Sequence, residues 1–396
     1  MRIASSTFQN DAVSQMDALQ AAIANTQQDL STGLKVRNAA DNPTGMVQVN
    51  QMNVEISAST QYVTNSNTAQ TNLQLEEQAL SDASNIMQNA NSLAVEANNS
   101  ALTATQRQNI ATQLQQDLQS LTAIANRTDS SGNYLFAGYA SNTQPFTQSG
   151  NSVSYNGASA VIQVQISQNQ SISAGDTGAT AFMNVPNGNG TFVTAAAATN
   201  TGTASISPGS VTDPSQWVPD TYTLSFTDPT DYQVTNSGGS VVASGTYTTG
   251  DSIAFNGAQV TVNGTPAAGD QFTISSPAGT TSAFGALSNL IGALNSTTLN
   301  SGQLSTALNN ALQQVNNSIT NFSNVSASVG ARLNAITTAQ SSAQTNKTSL
   351  TTNISSITNT DYATATTQLS TEELALQAAE QSYASISNLS LFQFLK

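Results

Sequence analysis

Cysteine and histidine are both absent from the 396 residues of this chain. Their absence excludes disulfides, thiol and imidazole nucleophiles, histidine general bases and the usual zinc sites. Charged residues are scarce as well, at 8% of the chain, where soluble globular proteins average about 25%. The polar surface must therefore be built mainly from Asn, Gln, Ser and Thr.

Positive charge is scarcer than negative charge. Eight Lys and Arg stand against 22 Asp and Glu, which gives a formal charge of −14. Binding to a phosphate backbone needs clustered cations, so no nucleic-acid partner is expected. The sequence has no apolar run of about 18 residues and no apolar core of a cleavable signal near Met1, so we expect neither a membrane span nor a removed leader.

Composition divides the chain into a helical front, a β-like middle and a helical back. No Lys or Arg occurs between Arg127 and Arg332, and eight of the nine prolines lie between Pro145 and Pro277. We therefore expect an α+β protein, in which a discontinuous, coiled-coil-like helical bundle carries a β-hairpin region and a small all-β domain. The predicted domains are a terminal helical polymerisation domain (1–45 and 346–396), a helical rod domain (46–183 and 282–345) and an inserted β domain (184–281).

Apolar and small residues recur at steps of three and four at both ends of the chain. The first stripe consists of Ala12, Met16, Leu19, Ile23, Thr26 and Leu30. The last consists of Tyr362, Ala365, Leu369, Glu372, Leu376, Ala379, Tyr383 and Ile386, with Glu372 as its one break. Further helices are predicted over about 44–99, 105–125 and 308–336. Such spacing predicts packing against other helices, either of neighbouring copies or within one bundle.

The middle of the chain has the pattern of short strands. Polar and apolar residues alternate over 161–166, 222–226 and 259–262, and Asn-Gly pairs at 156–157, 187–188, 256–257 and 263–264 predict hairpins. The residues expected in the core of this β domain are Trp217, Tyr222, Phe226, Phe255 and Phe272.

Carboxylate pairs are the remaining candidates for catalysis. They are Glu76-Glu77, Glu372-Glu373, and Asp228 with Asp231. The glutamates are predicted to solvate the outer faces of helices, and the aspartates to form a turn. We therefore predict no catalytic, cofactor or metal site, and a protein that is not an enzyme.

Several motifs resemble those of a known family. They are Met1-Arg2-Ile3, Asp29-Leu30-Ser31-Thr32-Gly33-Leu34-Lys35-Val36, Ala40-Asp41-Asn42-Pro43, Leu93-Ala94-Val95-Glu96-Ala97-Asn98, Gly132-Asn133-Tyr134-Leu135-Phe136-Ala137-Gly138-Tyr139 and Leu389-Ser390-Leu391-Phe392. Together they resemble the flagellin superfamily of bacterial flagella, and within it the hook–filament junction family, hook-associated protein 3. Residues 191–277 match no motif of that family.

The resemblance implies a structural protein of the flagellum. It implies a ring of subunits that joins the hook, through hook-associated protein 1, to the flagellin filament. It also implies export by the flagellar type III apparatus without a cleaved signal, an extracellular location and a cytoplasmic export chaperone. Two alternatives stay open, namely flagellin itself and a surface adhesin that uses the β insert.

The expected interfaces follow from the two terminal stripes. The predicted subunit interface consists of Met16, Leu19, Ile23, Leu30, Leu369, Leu376, Tyr383 and Ile386. The predicted chaperone-binding residues are Leu376, Tyr383, Ile386, Leu389 and Phe392.

Overall fold

A computed structural model describes residues 2–99 and 101–392 of the chain, with side chains for 7–99 and 101–385. The described residues form two compact units, one up to Val63 and from Gln340 onwards, the other over Thr64–Ala339. The helices are α1 (Arg2–Thr32), α2 (Pro43–Ala97), α3 (Ala104–Ala125), α4 (Ala283–Asn295), α5 (Ser301–Thr358) and α6 (Tyr362–Phe392). The predicted α+β fold class is confirmed.

The helix boundaries in the front part follow from local chemistry. Helix α2 begins with Pro43, which needs no backbone donor at that position, and the side chain of Asn42 accepts the N–H of Gly45 at 2.8 Å. Helix α3 begins with a reciprocal capping box, because Thr103 and Gln106 each accept the other's backbone N–H. The three predicted front helices are therefore present close to their expected bounds.

Helix α4 was not among the sequence predictions. Its first turn is capped by Ser282, whose hydroxyl accepts the N–H of Gly285 at 2.8 Å. Phe284, Leu287, Ile291 and Leu294 lie on its buried face. The Ser cap and the three-and-four spacing of these residues form a helix signal that could have been read from the sequence.

Two hairpins and a π-helical turn belong to the region between α3 and the β domain. The elements are β1 (Phe146–Ser149), β2 (Ser152–Tyr155), β3 (Gln163–Ser167), β4 (Gln170–Ser173), the π-helical turn (Ala179–Met183) and β5 (Val185–Pro186). Strand β1 pairs with β2, and β3 with β4.

An aromatic cluster forms the centre of this region. The ring of Phe182 lies 5.0 Å from that of Phe136, 5.5 Å from Phe146, 5.6 Å from Phe284 and 5.2 Å from Phe322, measured between centroids. All five rings are buried. The cluster joins the π-helical turn to helices α4 and α5 and to strand β1.

The inserted β domain consists of two antiparallel sheets that share one core. Its strands are β6 (Val193–Ala196), β7 (Ser205–Ile206), β8 (Ser210–Val211), β9 (Tyr222–Asp228), β10 (Asp231–Thr235), β11 (Val241–Thr246), β12 (Ser252–Phe255), β13 (Ala258–Asn263) and β14 (Gln271–Ser275), and β15 (Thr280–Thr281) pairs with β5 below it. One sheet has the order β11-β10-β9-β14-β6, and the other β12-β13-β7 with β8 beside β13. Of the five predicted core residues, four are buried and Trp217 is partly buried against them.

The hairpin prediction from Asn-Gly pairs is right at one position of four. Asn256 and Gly257 both have positive φ, at 41° and 74°, and connect β12 to β13 in the two-residue turn that such pairs favour. The pairs at 156–157, 187–188 and 263–264 follow strands that do not pair with the next strand along the chain. The hairpin of β9 and β10 turns between Asp228 and Asp231, where the sequence predicts a turn without an Asn-Gly pair.

Candidate assembly surfaces

The two terminal stripes meet within a single chain. Helices α1 and α6 pack against each other, and their partly buried positions are those of the predicted stripes. On α1 these include Met16, Leu19, Ile23 and Leu30, and on α6 Leu369, Leu376 and Tyr383. The side chains of Ile386, Leu389 and Phe392 lie outside those that the structure describes. The predicted contacts of these residues with neighbouring subunits and with a chaperone stay predictions.

A buried polar pair explains the break in the last stripe. The hydroxyl of Thr26, only 6% exposed, donates to a carboxylate oxygen of Glu372 at 2.9 Å. The other carboxylate oxygen accepts from the side-chain amide of Gln368 at 2.8 Å. A polar pair at a seam position fixes register at some cost in stability. Glu372 therefore aligns α6 with α1.

The connection between α1 and α2 is fastened to the connection between α5 and α6. The N–H groups of Lys35 and Val36 donate to the carbonyl of Thr358, at 2.8 and 3.3 Å. The N–H of Thr360 donates to the carbonyl of Gly33 at 2.9 Å. Gly33 has a φ of 72°, a conformation that favours glycine. This explains why the signature motif needs a glycine here.

Asp29 and Asp41, from two of the family motifs, shape the loop together with Arg37. Arg37 forms an ion pair with Asp29 at 3.2 Å and lies 3.8 Å from Asp41. The carboxylate of Asp41 accepts the N–H groups of Arg37 and Asn38, and these bonds hold its pKa below the usual value. The motif residues therefore build a turn that joins two helices.

Several large apolar side chains of this unit remain exposed. Phe8 and Val13 on α1 are 50% and 41% exposed, Val47 and Val54 on α2 are 66% and 69% exposed, and Leu374 on α6 is 67% exposed. Val47 and Val54 are seven residues apart and share one face of their helix. The sequence analysis missed these residues because they lie off the main stripes. Exposed apolar side chains grouped on one unit are candidates for contact with another chain.

A line of polar side chains holds the segment that enters the β domain, and it runs from Asn300, just before α5, along that helix. We call it the polar ladder, and its members are Asn300, Gln303, Thr306, Asn310, Gln314, Asn317 and Asn321. Each has a hydrogen bond to the segment 180–206. Thr306, which accepts the N–H of Ile206, is an exception. For the other members, partners at higher positions on the ladder lie at lower positions on the segment, so the two run antiparallel.

The contacts of the ladder are mostly to backbone oxygens. The amide of Gln303 donates to the carbonyl of Ala197 at 3.0 Å, and that of Asn310 donates to the carbonyl of Thr194 at 2.6 Å. The amide of Asn317 donates to two carbonyls at 2.8 Å. These bonds tie the base of the β domain to a helix with uncharged groups. Asn, Gln and Thr recurring at steps of three and four were visible in the sequence but were not singled out.

The interpretation of Glu76 as a surface residue is wrong. Its side chain is 1% exposed, and its two carboxyl oxygens lie 3.1 and 3.2 Å from the N–H of Asp176, which donates to them. Burial, reinforced by the negative charge of Asp176, raises the pKa of Glu76 to about 8. Arg332 forms an ion pair with Asp176. The neighbouring Glu77 is exposed, as predicted.

The turn predicted at Asp228 is confirmed. Its carboxylate accepts the backbone N–H groups of Thr230 at 2.8 Å and Asp231 at 3.0 Å. Hydrogen bonds from Thr230 lower the pKa of Asp228. Over residues 2–99 and 101–392, no group of three acidic side chains is arranged to hold a metal ion. No helix of that part of the chain is long and apolar enough to cross a membrane.

Known proteins resemble this chain along most of its length. The crystal structure of FlgL from Xanthomonas campestris is 34% identical, with a TM-score of 0.69, and the match covers 76% of this chain and 98% of that one. The flagellar junction protein FlgL from Legionella pneumophila is 30% identical with a TM-score of 0.71, over 79% of this chain and 100% of that one. The chain belongs to the family of flagellar hook-associated protein 3.

Other comparisons agree with the hook-associated protein 3 family. Flagellar hook-associated protein 3 of Salmonella typhimurium is 25% identical over 185 residues, which is 47% of this chain and 58% of that protein. The chain therefore matches just over half the length of this curated relative. A family model of the bacterial flagellin N-terminal helical region matches residues 3–141.

The β insert has a relative that its sequence motifs did not reveal. A family model described as the D2-like domain of flagellar hook-associated protein 1 matches residues 195–276. The part of the chain that matches no motif of the hook-associated protein 3 family is therefore similar to a domain of hook-associated protein 1. Members of the hook-associated protein 3 family are structural proteins of the flagellum, and this chain is a flagellar component.

Proposed function

We propose that the chain joins the flagellar hook to the flagellin filament and catalyses no reaction. The observation that carries this proposal is the match over 98% to 100% of the length of solved junction proteins at 30% to 34% identity. The proposed partners are further copies of the chain in a ring, hook-associated protein 1 on one side and flagellin on the other. The proposed location is outside the cell, after export without a cleaved signal.

The domain division is part of the same proposal. We propose that residues 1–45 and 346–396 polymerise, that 46–183 and 282–345 form the rod, and that 184–281 form the β domain. The pairing of α1 with α6 supports a polymerising unit made of both ends of the chain.

The assembly surface proposed here combines two sets of residues. The first set contributes the part of its surface that stays exposed when α1 and α6 pair. It consists of the seam residues Met16, Leu19, Ile23, Leu30, Leu369, Leu376, Tyr383 and Ile386. The exposed residues Phe8, Val13 and Leu374 extend that surface on the same two helices. Burying such side chains against a neighbour stabilises a contact by about 1.5–3 kcal/mol for each one fully buried.

Substitutions at neighbouring positions of α6 test the proposed surface. Leu374→Asp should prevent incorporation into flagella and leave the helix content of the isolated chain unchanged, because Leu374 is exposed. Leu376→Asp should also weaken the pairing of α1 with α6. Gln377→Asp, at an exposed polar position of the same helix, should incorporate normally. Motility and quantitative mass spectrometry of sheared flagella measure incorporation, and normal incorporation of both leucine variants would refute the proposed surface.

The copy number in the same preparations separates a junction from a filament subunit. A junction protein should be present at a trace ratio to flagellin, as expected for one ring per filament. A chain that dominates the preparation would instead be flagellin.

The chaperone proposal concerns the end of α6. Leu376, Tyr383, Ile386, Leu389 and Phe392 are the proposed contacts, since an amphipathic helix suits a groove-binding partner. A truncation after Ser370 should lose binding to the flagellar export chaperone. Retained binding by this truncated chain would contradict the proposal.

A further inference from the structure

A buried carboxyl group lies at the wall of a small cavity in the rod region. The cavity has a volume of about 120 Å³, and Glu76, Asn72, Asp129, Tyr134 and Asp176 are among its lining residues. Glu76 has the most deeply buried carboxyl group of this set. Nothing in the assembly function described above uses this carboxyl group.

The charged groups around Glu76 come from three further segments. Asp176 follows β4, Arg332 is on α5, and Asp129 lies after α3 and lines the same cavity. On its own helix the adjacent Glu77 is exposed. Glu76 and Asp176 therefore share the one guanidinium group of Arg332, and the buried Glu76 favours a bound proton.

The cluster fastens a short segment between two helices. From the α2 side, Glu76 accepts the N–H of Asp176. From the α5 side, Arg332 pairs with the carboxylate of Asp176 and donates to the carbonyls of Ser173 and Gly175 at 3.4 and 3.3 Å. The segment 173–176 is thus held from both sides.

The segment leads directly into the aromatic cluster. Thr177 is buried, and the N–H of Gly178 donates to the carbonyl of Phe136 at 2.8 Å. The next residues form the π-helical turn that carries Phe182. The segment 173–176 is therefore continuous with the residues that carry the packing centre of the rod.

We propose that Glu76, Asp176 and Arg332 form a protonation-dependent latch that fastens the segment 173–178 to helices α2 and α5 and loosens when Glu76 loses its proton. Protonated Glu76 is neutral and shares its site with the Asp176–Arg332 ion pair without repulsion. Ionised Glu76 places a second negative charge beside Asp176, on a side chain that is only 1% exposed. The open segment exposes Glu76 to water and relieves that repulsion.

The direction of the pH dependence follows from the two states. The pKa of Glu76 is about 8 in the closed state and 4.5 in water, so the closed state binds the proton more tightly. The latch is therefore tightest below pH 4.5 and weakens as the pH rises towards 8, by up to about tenfold in the opening equilibrium for each pH unit. Above about pH 8 it weakens no further, because both states are then ionised.

Hydrogen exchange of the full-length chain between pH 5 and 9 tests the latch. Exchange of peptides covering 173–178 is corrected for the intrinsic pH dependence of amide exchange. In the unmodified chain, protection should fall with pH and level off near pH 8. In Glu76→Gln it should be independent of pH, and in the control Glu77→Gln it should follow the unmodified chain.

The pH profiles of exchange in the variants can refute the proposal. Equal pH profiles of the unmodified chain and Glu76→Gln would overturn it. If Glu76→Gln does not fold, Asp176→Asn decides, because removing the like charge should move the levelling point to lower pH. A levelling point that does not move would overturn the latch. The test uses the isolated chain and does not depend on the junction function.

Discussion

Replacing Gln303 with Leu should loosen the joint between the β domain and α5. Gln303 is 7% exposed, and its amide donates to the carbonyls of Ala197 and Ala198 at 3.0 and 3.1 Å. Its side-chain oxygen accepts the N–H of Asn300 at 3.0 Å at the start of the helix. Leu has a similar volume and cannot form these bonds, so the substitution removes hydrogen bonds while leaving little cavity.

The free energy lost in Gln303→Leu depends on which hydrogen-bond partners of Gln303 are left without a bond. Ala198 is exposed, so water can replace the amide at its carbonyl. Ala197 and Asn300 are partly buried, so their polar groups lose more. A net hydrogen bond contributes about 1 kcal/mol, and a buried unsatisfied group costs about 1–3 kcal/mol. We expect the joint to lose about 2 kcal/mol, or roughly a 30-fold increase in local opening.

Two measurements follow the joint and the domain separately. Hydrogen exchange of peptides covering 197–206 should accelerate by roughly 30-fold in Gln303→Leu. Trp217 is the single tryptophan, and its ring lies 5.3 Å from that of Phe192 and 5.6 Å from that of Tyr222. Its fluorescence therefore reports unfolding of the β domain, which should occur at lower urea concentration when the joint is weakened.

The control makes the same substitution elsewhere on the same helix. Gln344 is exposed and lies outside the polar ladder, so Gln344→Leu should change neither exchange in 197–206 nor the fluorescence transition. If Gln303→Leu behaves like this control, the ladder does not hold the β domain and the reasoning fails.

Two further substitutions test the turn at Gly257 and the α1–α6 seam. Gly257→Ala should destabilise the β domain by more than about 1–2 kcal/mol, because φ is 74° and a Cβ would clash with the carbonyl oxygen of Asp213. Gly239→Ala, with φ of 79° and nothing within 4 Å, should cost less, and equal shifts in the Trp217 fluorescence transition would contradict this account. Thr26→Val should weaken the seam by about 1 kcal/mol, since Glu372 loses a donor. Thr371→Val should not, because Thr371 is exposed and its hydroxyl donates to a carbonyl of its own helix. Thermal melting followed by circular dichroism measures both threonine variants, and equal melting temperatures would count against the polar pair.

The helical stripes were predictable because their spacing is a local property of the sequence. Met16, Leu19 and Ile23 share one face of α1 whichever partner covers it. The partner itself was not predictable from spacing. The hydroxyl of Thr26 meets Glu372 across 346 positions of sequence, and no local pattern encodes that contact. In the sequence, Glu372 therefore looks like a break in the apolar stripe, although in the structure it sets the register of the seam.

The prediction that Glu76 is exposed was wrong, although the spacing of its neighbours indicates burial. It lies three residues after Leu73 and four before Leu80, and both leucines are fully buried. The periodicity of α2 therefore places position 76 on the buried face. The residue type predicts an exposed position instead, because an isolated Glu is seldom buried. The partners that make its burial tolerable, Asp176 and Arg332, are far away in sequence and could not be inferred.

Scarce charge also constrains how copies of this chain can meet. Each arginine whose side chain is described bonds within its own chain: Arg37 with Asp29, Arg107 with the carbonyl of Leu102, Arg127 with Asp82, and Arg332 with Asp176. Neighbouring copies, each with a formal charge of −14, repel one another over a range that is about 8 Å at physiological salt and shrinks as salt rises. Attraction between copies must then come from apolar and amide groups, which salt does not screen. That requirement is met on α1 and α6 by side chains such as Phe8, Val13 and Leu374, which remain exposed after the two helices have paired.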